Sequence, residues 1–531
     1  MTTRSLAAAL WLVSTACYAD AVDPALVGAV KQSNTAAIEK LIKSGADVNA
    51  TEVDGTTALD WAVSHDDLKM VELLIKAGAN IKAVNRYGVS PLSIAANDAS
   101  AAVVDRLLKA GADPNTASPE GETVLMTAAR AGKTDVVKML YAAGADLNRK
   151  ESWHGQTAIM WAAAEDYPVT IEMLKELGAD VNARSDGGFT ALLFAVRGGK
   201  QEAVATLLKL GANVNDTIQP KRAAAQPARM AAANYNGDNN VNRGRVINAV
   251  SGLPTRPAPP DGTSALVLAI TNAHYQLAKY LIDKGADVNA AAQGWTPLIA
   301  LEYARRPNHG KGLPPPEATD TYDSFELAKA LLAHGADPNA RQAREINDGQ
   351  RNYQNRVGAT AFFLAAKHAD IPMMHLLAEH GADPKIMTED HATALAAAAG
   401  VGIWNVGESA GTNEEALEAV RLAYELGSTD VNAADDFGFA AVHGAALRGS
   451  PEIIQFLAEK GANLNATTRD EGWTPLRIAD GVYYTGTVKR GRDVDTLLRK
   501  LLKTQGLPVP VFAEDVDYGT AHPLSRQNAA R

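Results

Sequence analysis

The sequence predicts an all-α solenoid of about twelve helix–turn–helix units, with hairpin-like tips and long loop insertions. Three observations support this fold class: a Gly-Ala-Asp/Asn triplet recurs along the chain, a Leu-rich helical pattern precedes each triplet, and a Thr/Ser-x-Leu signal lies about twenty residues upstream. A fixed period of about 20–50 residues is typical of stacked repeats, because one such unit cannot bury its apolar face alone. The prior of roughly 150 residues per domain, which suggests three or four domains for 531 residues, therefore gives way to one solenoid.

The repeat is clearest at the glycine that ends each unit. The first five spacings between these glycines are 33, 33, 33, 34 and 33 residues. The triplet glycines are Gly45, Gly78, Gly111, Gly144, Gly178, Gly211, Gly285, Gly335, Gly381 and Gly461, and Gly427 begins a variant of the motif. Glycine suits this place because it adopts the left-handed conformation that stops a helix.

The start of each unit carries a helix-capping signal. The first helix, helix A, follows a Thr or Ser whose oxygen can accept hydrogen bonds from free backbone amides, and a proline often comes next, where its missing N–H costs nothing. Thr57, Ser90 and Thr123 are examples. Two units depart from the pattern, because His391 stands where a tip glycine is expected and Ala440 replaces the capping threonine.

These motifs resemble the ankyrin repeat in period, in the Thr-Pro-Leu-like start and in the Gly-Ala-Asp-x-Asn end, over nearly all of residues 25–506. The resemblance implies a stack of helix pairs with atypical terminal units. It also implies a recognition surface on the concave side, formed by the hairpin tips and the exposed face of helix A. A protein or peptide partner is then expected along that surface.

The N-terminus is typical of a secretory signal peptide, predicted over residues 1–19. Arg4 gives a positive start, residues 6–13 form a short apolar run, and small residues lead to Ala19. The alternatives are a buried first helix and lipidation of Cys17, the one cysteine of the chain. Export would leave a cysteine-free mature protein, so we expect a periplasmic location, with secretion or a lipid anchor as alternatives.

After the signal peptide, the sequence divides into N-terminal repeats (22–215), an inserted loop (216–262), C-terminal repeats with insertions (263–506) and a loose tail (507–531). A second insertion, at 341–357, is predicted on the same hairpin-tip side and is rich in arginine. Loops of this kind are often functional, although neutral insertion costs little. An enzyme whose site is built from these two loops is therefore an alternative to a binding scaffold.

Mapping the implied recognition surface onto the chain gives two sets of partner-binding candidates. The tip aromatic residues are Trp153, Phe189, Trp295, Phe439 and Trp473. Large aromatic side chains are favoured anchors in protein interfaces, although each ring could instead pack on a neighbouring repeat. The polar candidates, which lie late in helix A, are Arg130, Arg197, Lys367, His368 and Arg448; the alternative for these is a solvated face.

No catalytic, cofactor or metal site is predicted. Neither Gly-x-Ser-x-Gly nor Gly-x-x-x-x-Gly-Lys-Ser/Thr occurs, and His375 and His380 are five residues apart rather than the four of a zinc-binding pair. The net charge of −10 argues against nucleic acid as a partner. No later apolar stretch is long enough to span a membrane. We therefore expect a non-enzymatic, monomeric scaffold, accessory protein or inhibitor.

Overall fold

The computed structural model describes residues 25–221, 259–305, 321–345, 354–403, 411–481 and 492–510. The predicted signal peptide, the larger part of the 216–262 loop, half of the 341–357 loop and most of the tail lie outside the described residues.

The chain forms two compact units that divide between Ala212 and Asn213. Unit 1 contains α1 (Ala25–Lys31), α2 (Thr35–Lys43), α3 (Ala58–Ser64), α4 (Leu68–Lys76), α5 (Pro91–Asn97), α6 (Ala101–Lys109), α7 (Val124–Arg130), α8 (Thr134–Ala142), α9 (Ala158–Ala164), α10 (Pro168–Glu176), α11 (Ala191–Arg197) and α12 (Gln201–Lys209). Unit 2 contains α13 (Ala265–Thr271), α14 (Tyr275–Asp283), α15 (Pro297–Arg305), α16 (Ser324–Ala333), α17 (Ala361–Lys367), α18 (Ile371–Glu379), α19 (Ala394–Ala399), α20 (Asn413–Glu425), α21 (Ala441–Arg448), α22 (Pro451–Glu459), α23 (Pro475–Gly481) and α24 (Arg492–Thr504). These helices make twelve pairs, with helix A odd-numbered and helix B even-numbered, so the predicted all-α repeat fold is confirmed.

Each repeat buries its helices against its own partner helix and against the next repeat. Within unit 1, α3, α5, α7, α9 and α11 pack in sequence, and each contacts its own helix B. Alanine pairs such as Ala128 and Ala129 are fully buried, which lets neighbouring A helices approach closely. Helix B contributes leucines such as Leu74, Leu107 and Leu140, all 0% exposed. Burying each such side chain contributes about 1.5–3 kcal/mol, so the core is a continuous apolar seam within each unit.

The predicted capping residues begin the A helices. Thr57 Oγ1 accepts a hydrogen bond from Asp60 N at 3.2 Å, and the Asp60 carboxylate accepts one from Thr57 N at 2.8 Å. This reciprocal pair satisfies two amides that the helix leaves free. Thr360 caps α17 with a single bond, because its Oγ1 accepts from Phe363 N at 3.2 Å.

Ala440 lacks a hydroxyl, and a histidine compensates for it in part. His443 Nδ1 accepts the Ala440 amide at 3.0 Å, and His443 Nε2 lies 3.1 Å from the carbonyl oxygen of Ala466. The ring is 0% exposed. Its two hydrogen bonds require the neutral tautomer with the proton on Nε2. Burial accordingly lowers the pKa of His443 to about 4.

Asparagine side chains link one tip motif to the next by hydrogen bonds. Asn115 Oδ1 accepts a hydrogen bond from Asp146 N at 2.9 Å, and Asn115 Nδ2 donates to Gly144 O at 2.9 Å. We call this arrangement an asparagine rung. The described residues contain further rungs, complete or in their Oδ1 half, at Asn49, Asn148, Asn215, Asn289, Asn339 and Asn432. Lys82 and Lys385 occupy the same motif position and make no rung in the described chain.

The backbone closes as a short antiparallel pair at four tips of the described residues, for example Thr51 with Thr57. His391 has a φ of 62°, so it adopts the left-handed conformation that glycine holds at the other tips. The long insertion starts from the same geometry, because Thr217 pairs with Ser264 and Ile218 N donates to Thr263 O at 3.0 Å. The 216–262 loop therefore leaves and re-enters unit 2 at a closed tip.

The second insertion also has a closed base. Gln342 N donates to Ala359 O at 2.8 Å, and Gly358 N donates to Gln342 O at 2.7 Å. Arg356 then pairs with Glu345, with Nη2 and Oε2 2.9 Å apart. Both predicted tip-side insertions thus grow from ordinary repeat tips, which explains how the repeat continues after them.

We predict that Asn115→Ala lowers the free energy of unfolding by about 1–2 kcal/mol, because one hydrogen-bond acceptor and one donor are lost together. The matched change is Lys82→Asn, which places an asparagine in a motif that has no rung. This variant should raise stability by up to about 1 kcal/mol. Urea unfolding followed by far-UV circular dichroism measures both. Equal effects from Asn115→Ala and Lys82→Ala would contradict the stabilising role of the rung.

The buried His443 predicts a loss of stability in acid. The unfolded chain binds a proton near pH 6.5, whereas the folded ring stays neutral down to about pH 4. The contribution of His443 to stability is therefore full above pH 6.5 and falls on the way to pH 4, by on the order of 3 kcal/mol. His443→Gln keeps an amide acceptor and should flatten this dependence in urea titrations at pH 7.0 and 4.5. The exposed His65→Gln control should leave the slope intact.

Candidate protein-binding surface

Consecutive tips of unit 1 present exposed apolar side chains. Val53 is 76% exposed, Tyr87 57% and Trp153 74%, and Pro119 is exposed between the last two. We call these four residues the tip row. Soluble proteins expose single apolar residues routinely, but a contiguous series marks an interaction site.

The tip row is contiguous because the tips touch. Arg86 N donates to Asp54 O at 2.9 Å, and Ser152 N donates to Glu120 O at 2.9 Å. Gly88 lies against the next tip so closely that a Cβ there would come within 2.4 Å of Pro119 Cδ. The spacing of the row is therefore set by backbone contacts, and a ligand would meet a preformed surface.

Trp153 stands on the most elaborate of these tips. The Glu151 carboxylate accepts hydrogen bonds from the backbone N–H groups of Trp153 at 2.5 Å, His154 at 2.8 Å and Gln156 at 2.9 Å. Burial opposes ionisation of this acid, yet the three amides hold the pKa of Glu151 below its usual value. The Trp153 ring stacks on His154, with centroids 4.6 Å apart. An exposed tryptophan is thus held on a fixed loop.

A second feature of unit 1 lies on helix A. The fourth residue of α3, α9 and α11 is aromatic, and each ring is covered by a cation: Lys31 lies 4.9 Å from the Trp61 ring centre, Arg130 5.0 Å from Trp161 and Arg197 5.2 Å from Phe194. Such cation–π contacts contribute about 0.5–2 kcal/mol each. They hold positively charged groups over apolar rings along one face of the repeats.

Acidic side chains tie two of these pairs to the tips. Glu52 Oε2 accepts from Trp61 Nε1 at 2.8 Å and also contacts Lys31. Glu122 Oε1 lies 3.1 Å from Arg130 Nη2. The helix A face and the tips of unit 1 are therefore one connected surface.

The predicted residues of unit 1 fall on this surface. Trp153 is exposed, Arg197 is exposed, and Arg130 is half-buried. Phe189 is half-buried as well, with its ring 5.3 Å from Phe194 and 5.1 Å from the Arg197 guanidinium. Their role in binding remains a prediction, but their placement is the one that role requires.

The tip aromatics of unit 2 are placed differently. Trp295, Phe439 and Trp473 are 7%, 6% and 6% exposed, so each packs inside its stack, which was the alternative for any single ring. Phe439 lies edge-on to the buried His443, and Arg344 covers Trp295. With so little ring surface available, the expectation that these three stand out as anchors is wrong.

Two polar candidates of unit 2 are also buried. His368 is 4% exposed and Arg448 is 2% exposed, so neither lies on an exposed helix A face, and the alternative of a solvated face is wrong for both. His368 Nδ1 lies 3.2 Å from Glu302 Oε1, and that carboxylate is itself fully buried. Lys367 is half-buried and donates to Gln354 Oε1 at 2.9 Å.

These residues belong to a polar network between α15 and α17. Its other pairs are Arg305 with Asp370 at 3.0 Å and Tyr303 Oη with Gln342 Oε1 at 3.0 Å. Each pair satisfies groups that would be costly to bury alone. The network therefore explains the burial of His368 without assigning it to a ligand.

The comparisons with known proteins agree with the repeat motifs. A family model described as ankyrin repeats (3 copies) matches overlapping segments at 8–85, 26–118, 70–151, 92–185 and 125–218, and a model of the single ankyrin repeat matches 261–292 and 437–469. Together these matches cover more than half of the sequence. The chain belongs to the ankyrin-repeat family. A crystal structure of the human ASB11 ankyrin repeat domain is similar over 36% of this chain and 85% of that chain, with 25% identity and a TM-score of 0.33.

Ankyrin repeats are protein-interaction scaffolds, so the family implies protein partners for this chain. The sequence reasoning missed the aromatic residues at the fourth position of helix A, namely Trp61, Trp161 and Phe194. A comparison of the A helices position by position would have found them, because the same place holds Ile94 and Thr127 in the intervening ankyrin repeats.

The ankyrin tips of unit 2 carry a pair of buried acids. Burial raises the pKa of Asp435 to about 7 and also raises the pKa of Asp390. Neighbouring carboxylates raise both pKa values further. Their tips touch, since Asp436 N donates to Asp390 O at 2.9 Å. The Asp435 carboxylate accepts hydrogen bonds from the Phe437 and Phe439 amides, so its role is to close the turn.

Within the described ranges, no group of three or more His, Cys, Asp or Glu side chains could hold a metal ion. Over the same residues, no helix is both long and apolar enough to cross a bilayer.

We predict that Glu151→Ala releases the Trp153 loop. Three amides lose their acceptor, so their hydrogen exchange should accelerate and the free energy of unfolding should fall by about 1–3 kcal/mol. Exchange measured by mass spectrometry on peptides spanning residues 150–157 is the readout. Glu120→Ala removes an exposed acid from the preceding tip and should change neither quantity; equal effects from the two variants would argue against a fixed loop.

Proposed function

We propose that the chain is a non-enzymatic protein-binding scaffold that holds a partner along unit 1, across the tip row and the helix A face. The observation that carries the proposal is the tip row itself: Val53, Tyr87, Pro119 and Trp153 lie on touching tips and stay exposed. Preformed aromatic anchors bind with a small entropy cost.

The charge of the helix A face indicates which charge the partner carries. Arg130 and Arg197 are held over Trp161 and Phe194, which fixes two guanidinium groups beside apolar surface. Tryptophan, tyrosine and arginine are the residue types enriched at interface hot spots. A partner with apolar side chains for the tips and acidic groups for the arginines fits this arrangement. Neighbouring repeats lie about 10 Å apart, so an extended segment could reach several tips.

A photo-crosslinking experiment tests this surface. The photoreactive amino acid p-benzoylphenylalanine replaces Tyr87 or Trp153 in the full chain, and Val169, which is 64% exposed at the start of α10, serves as the matched control on helix B. We expect a discrete crosslinked protein from the two tip positions and none from position 169. Crosslinks only from position 169, or the same set from all three, would contradict the proposal.

Affinity measured with the partner so identified gives the energetic test. Trp153→Ala and Arg130→Ala should each weaken binding by at least tenfold, as expected for hot-spot residues, with unchanged helical circular dichroism. Trp295 and Trp473 are unsuitable probes, because removing a buried ring costs about 3–5 kcal/mol of stability. Unaltered affinity in both variants would place the partner elsewhere.

We propose further that this scaffold acts after export, in a bacterial periplasm, because residues 1–19 have the composition of a signal peptide. Mass spectrometry of the mature N-terminus tests this directly. A start at Asp20 or Val22 supports export by cleavage, a lipidated Cys17 supports a membrane-anchored accessory protein, and an intact Met1 contradicts both.

A further inference from the structure

Arg448 is a buried cation without an acid. It is the last residue of α21 and is 2% exposed, and its Nε and Nη2 atoms are fully buried with no hydrogen-bond partner in the part of the chain that the structure describes. Burial lowers the pKa of Arg448 to about 10, so the group is still charged at neutral pH. A buried charge that lacks a partner is strongly destabilising.

The two unpaired nitrogens form one edge of the guanidinium group. Other arginines of unit 2 bind a carboxylate with this edge. Arg305 Nε and Nη2 donate to Asp370 at 3.0 and 3.4 Å. Arg356 Nε and Nη2 meet Glu345 Oε2 at 3.0 and 2.9 Å. Two parallel N–H donors match the planar geometry of a carboxylate. Arg448 offers the same edge, and no acid among the described residues pairs with it.

The surroundings of Arg448 favour an anion. The neighbouring α19 consists of alanines and one leucine, and it ends at Gly400, where a Cβ would lie 3.1 Å from Arg448 Cβ. Lys367 donates to the carbonyl oxygen of Val401, the residue after Gly400, at 3.3 Å, so a second cation reaches the same turn.

We propose that the Nε/Nη2 edge of Arg448 binds a carboxylate group delivered by a ligand, with Lys367 contributing to the positive potential of the site. The carboxylate could belong to an acidic side chain or C-terminus of a bound peptide, or to a small free acid. This site lies in unit 2, so it goes beyond the scaffold surface of unit 1, and either can fail without the other.

The test measures thermal unfolding of the full chain with three probes: sodium propionate, the peptide acetyl-Gly-Gly-Glu-Gly-Gly-amide and its Gln counterpart. Sodium chloride at matched ionic strength is the reference. We expect a saturable rise in Tm with the Glu peptide, with propionate or with both, and none with the Gln peptide. Tighter binding of the Glu peptide assigns the carboxylate to a protein ligand; equal or tighter binding of propionate assigns it to a small acid.

Three variants make the result specific. Arg448→Met removes the charge and should abolish the rise while increasing Tm without ligand, because a buried unpaired cation is gone. Arg448→Lys keeps a charge, loses the two-donor edge and should weaken binding at least tenfold. Arg421→Met removes an exposed arginine of α20 and should retain the full rise.

Two outcomes would overturn the proposal. One is a rise no larger than that with sodium chloride for both carboxylate probes. The other is a rise that survives in Arg448→Met, which would place the carboxylate elsewhere.

Discussion

The asparagine rung is the constraint on which the rest of the structure depends. Each helix pair buries its apolar seam through non-directional contacts, which fix how closely repeats approach but only weakly fix their register. The rung adds direction, because one amide side chain accepts an N–H and donates to a C=O of the next motif, as Asn115 does with Asp146 and Gly144. Repeat proteins gain much of their stability at such interfaces, so the rung sets both register and cohesion.

Register at the base of each tip determines what the tip can present. Touching tips place Val53, Tyr87, Pro119 and Trp153 in one row, and the Glu151 carboxylate fixes the loop that carries Trp153. The same closed bases let unit 2 carry long insertions, since the chain leaves and re-enters at paired residues such as Thr217 and Ser264. Lengthening a closed surface loop costs little free energy, so repeats continue on both sides of it.

Local rules were enough to predict the repeats. Capping residues, the glycine at each helix end and even His391 in a left-handed tip follow from backbone chemistry that a short stretch of sequence carries. Burial of single side chains could not be predicted in this way. Trp153 lies four residues before the capping Thr157 and Trp473 lies directly before Thr474, and the first is 74% exposed whereas the second is 6% exposed. Arg448 was a partner-binding candidate on the exposed face of helix A and is instead buried.

Amide hydrogen exchange on the unmodified chain tests the role of the rung most directly. Asp113 and Asp146 hold the same place in successive motifs and are both exposed, but only the Asp146 amide donates to an asparagine of the preceding repeat. The corresponding position for Asp113 holds Lys82, whose side chain has no acceptor. If rungs fix the tips, exchange at Asp146 is at least tenfold slower than at Asp113. Equal rates at the two amides would contradict that account.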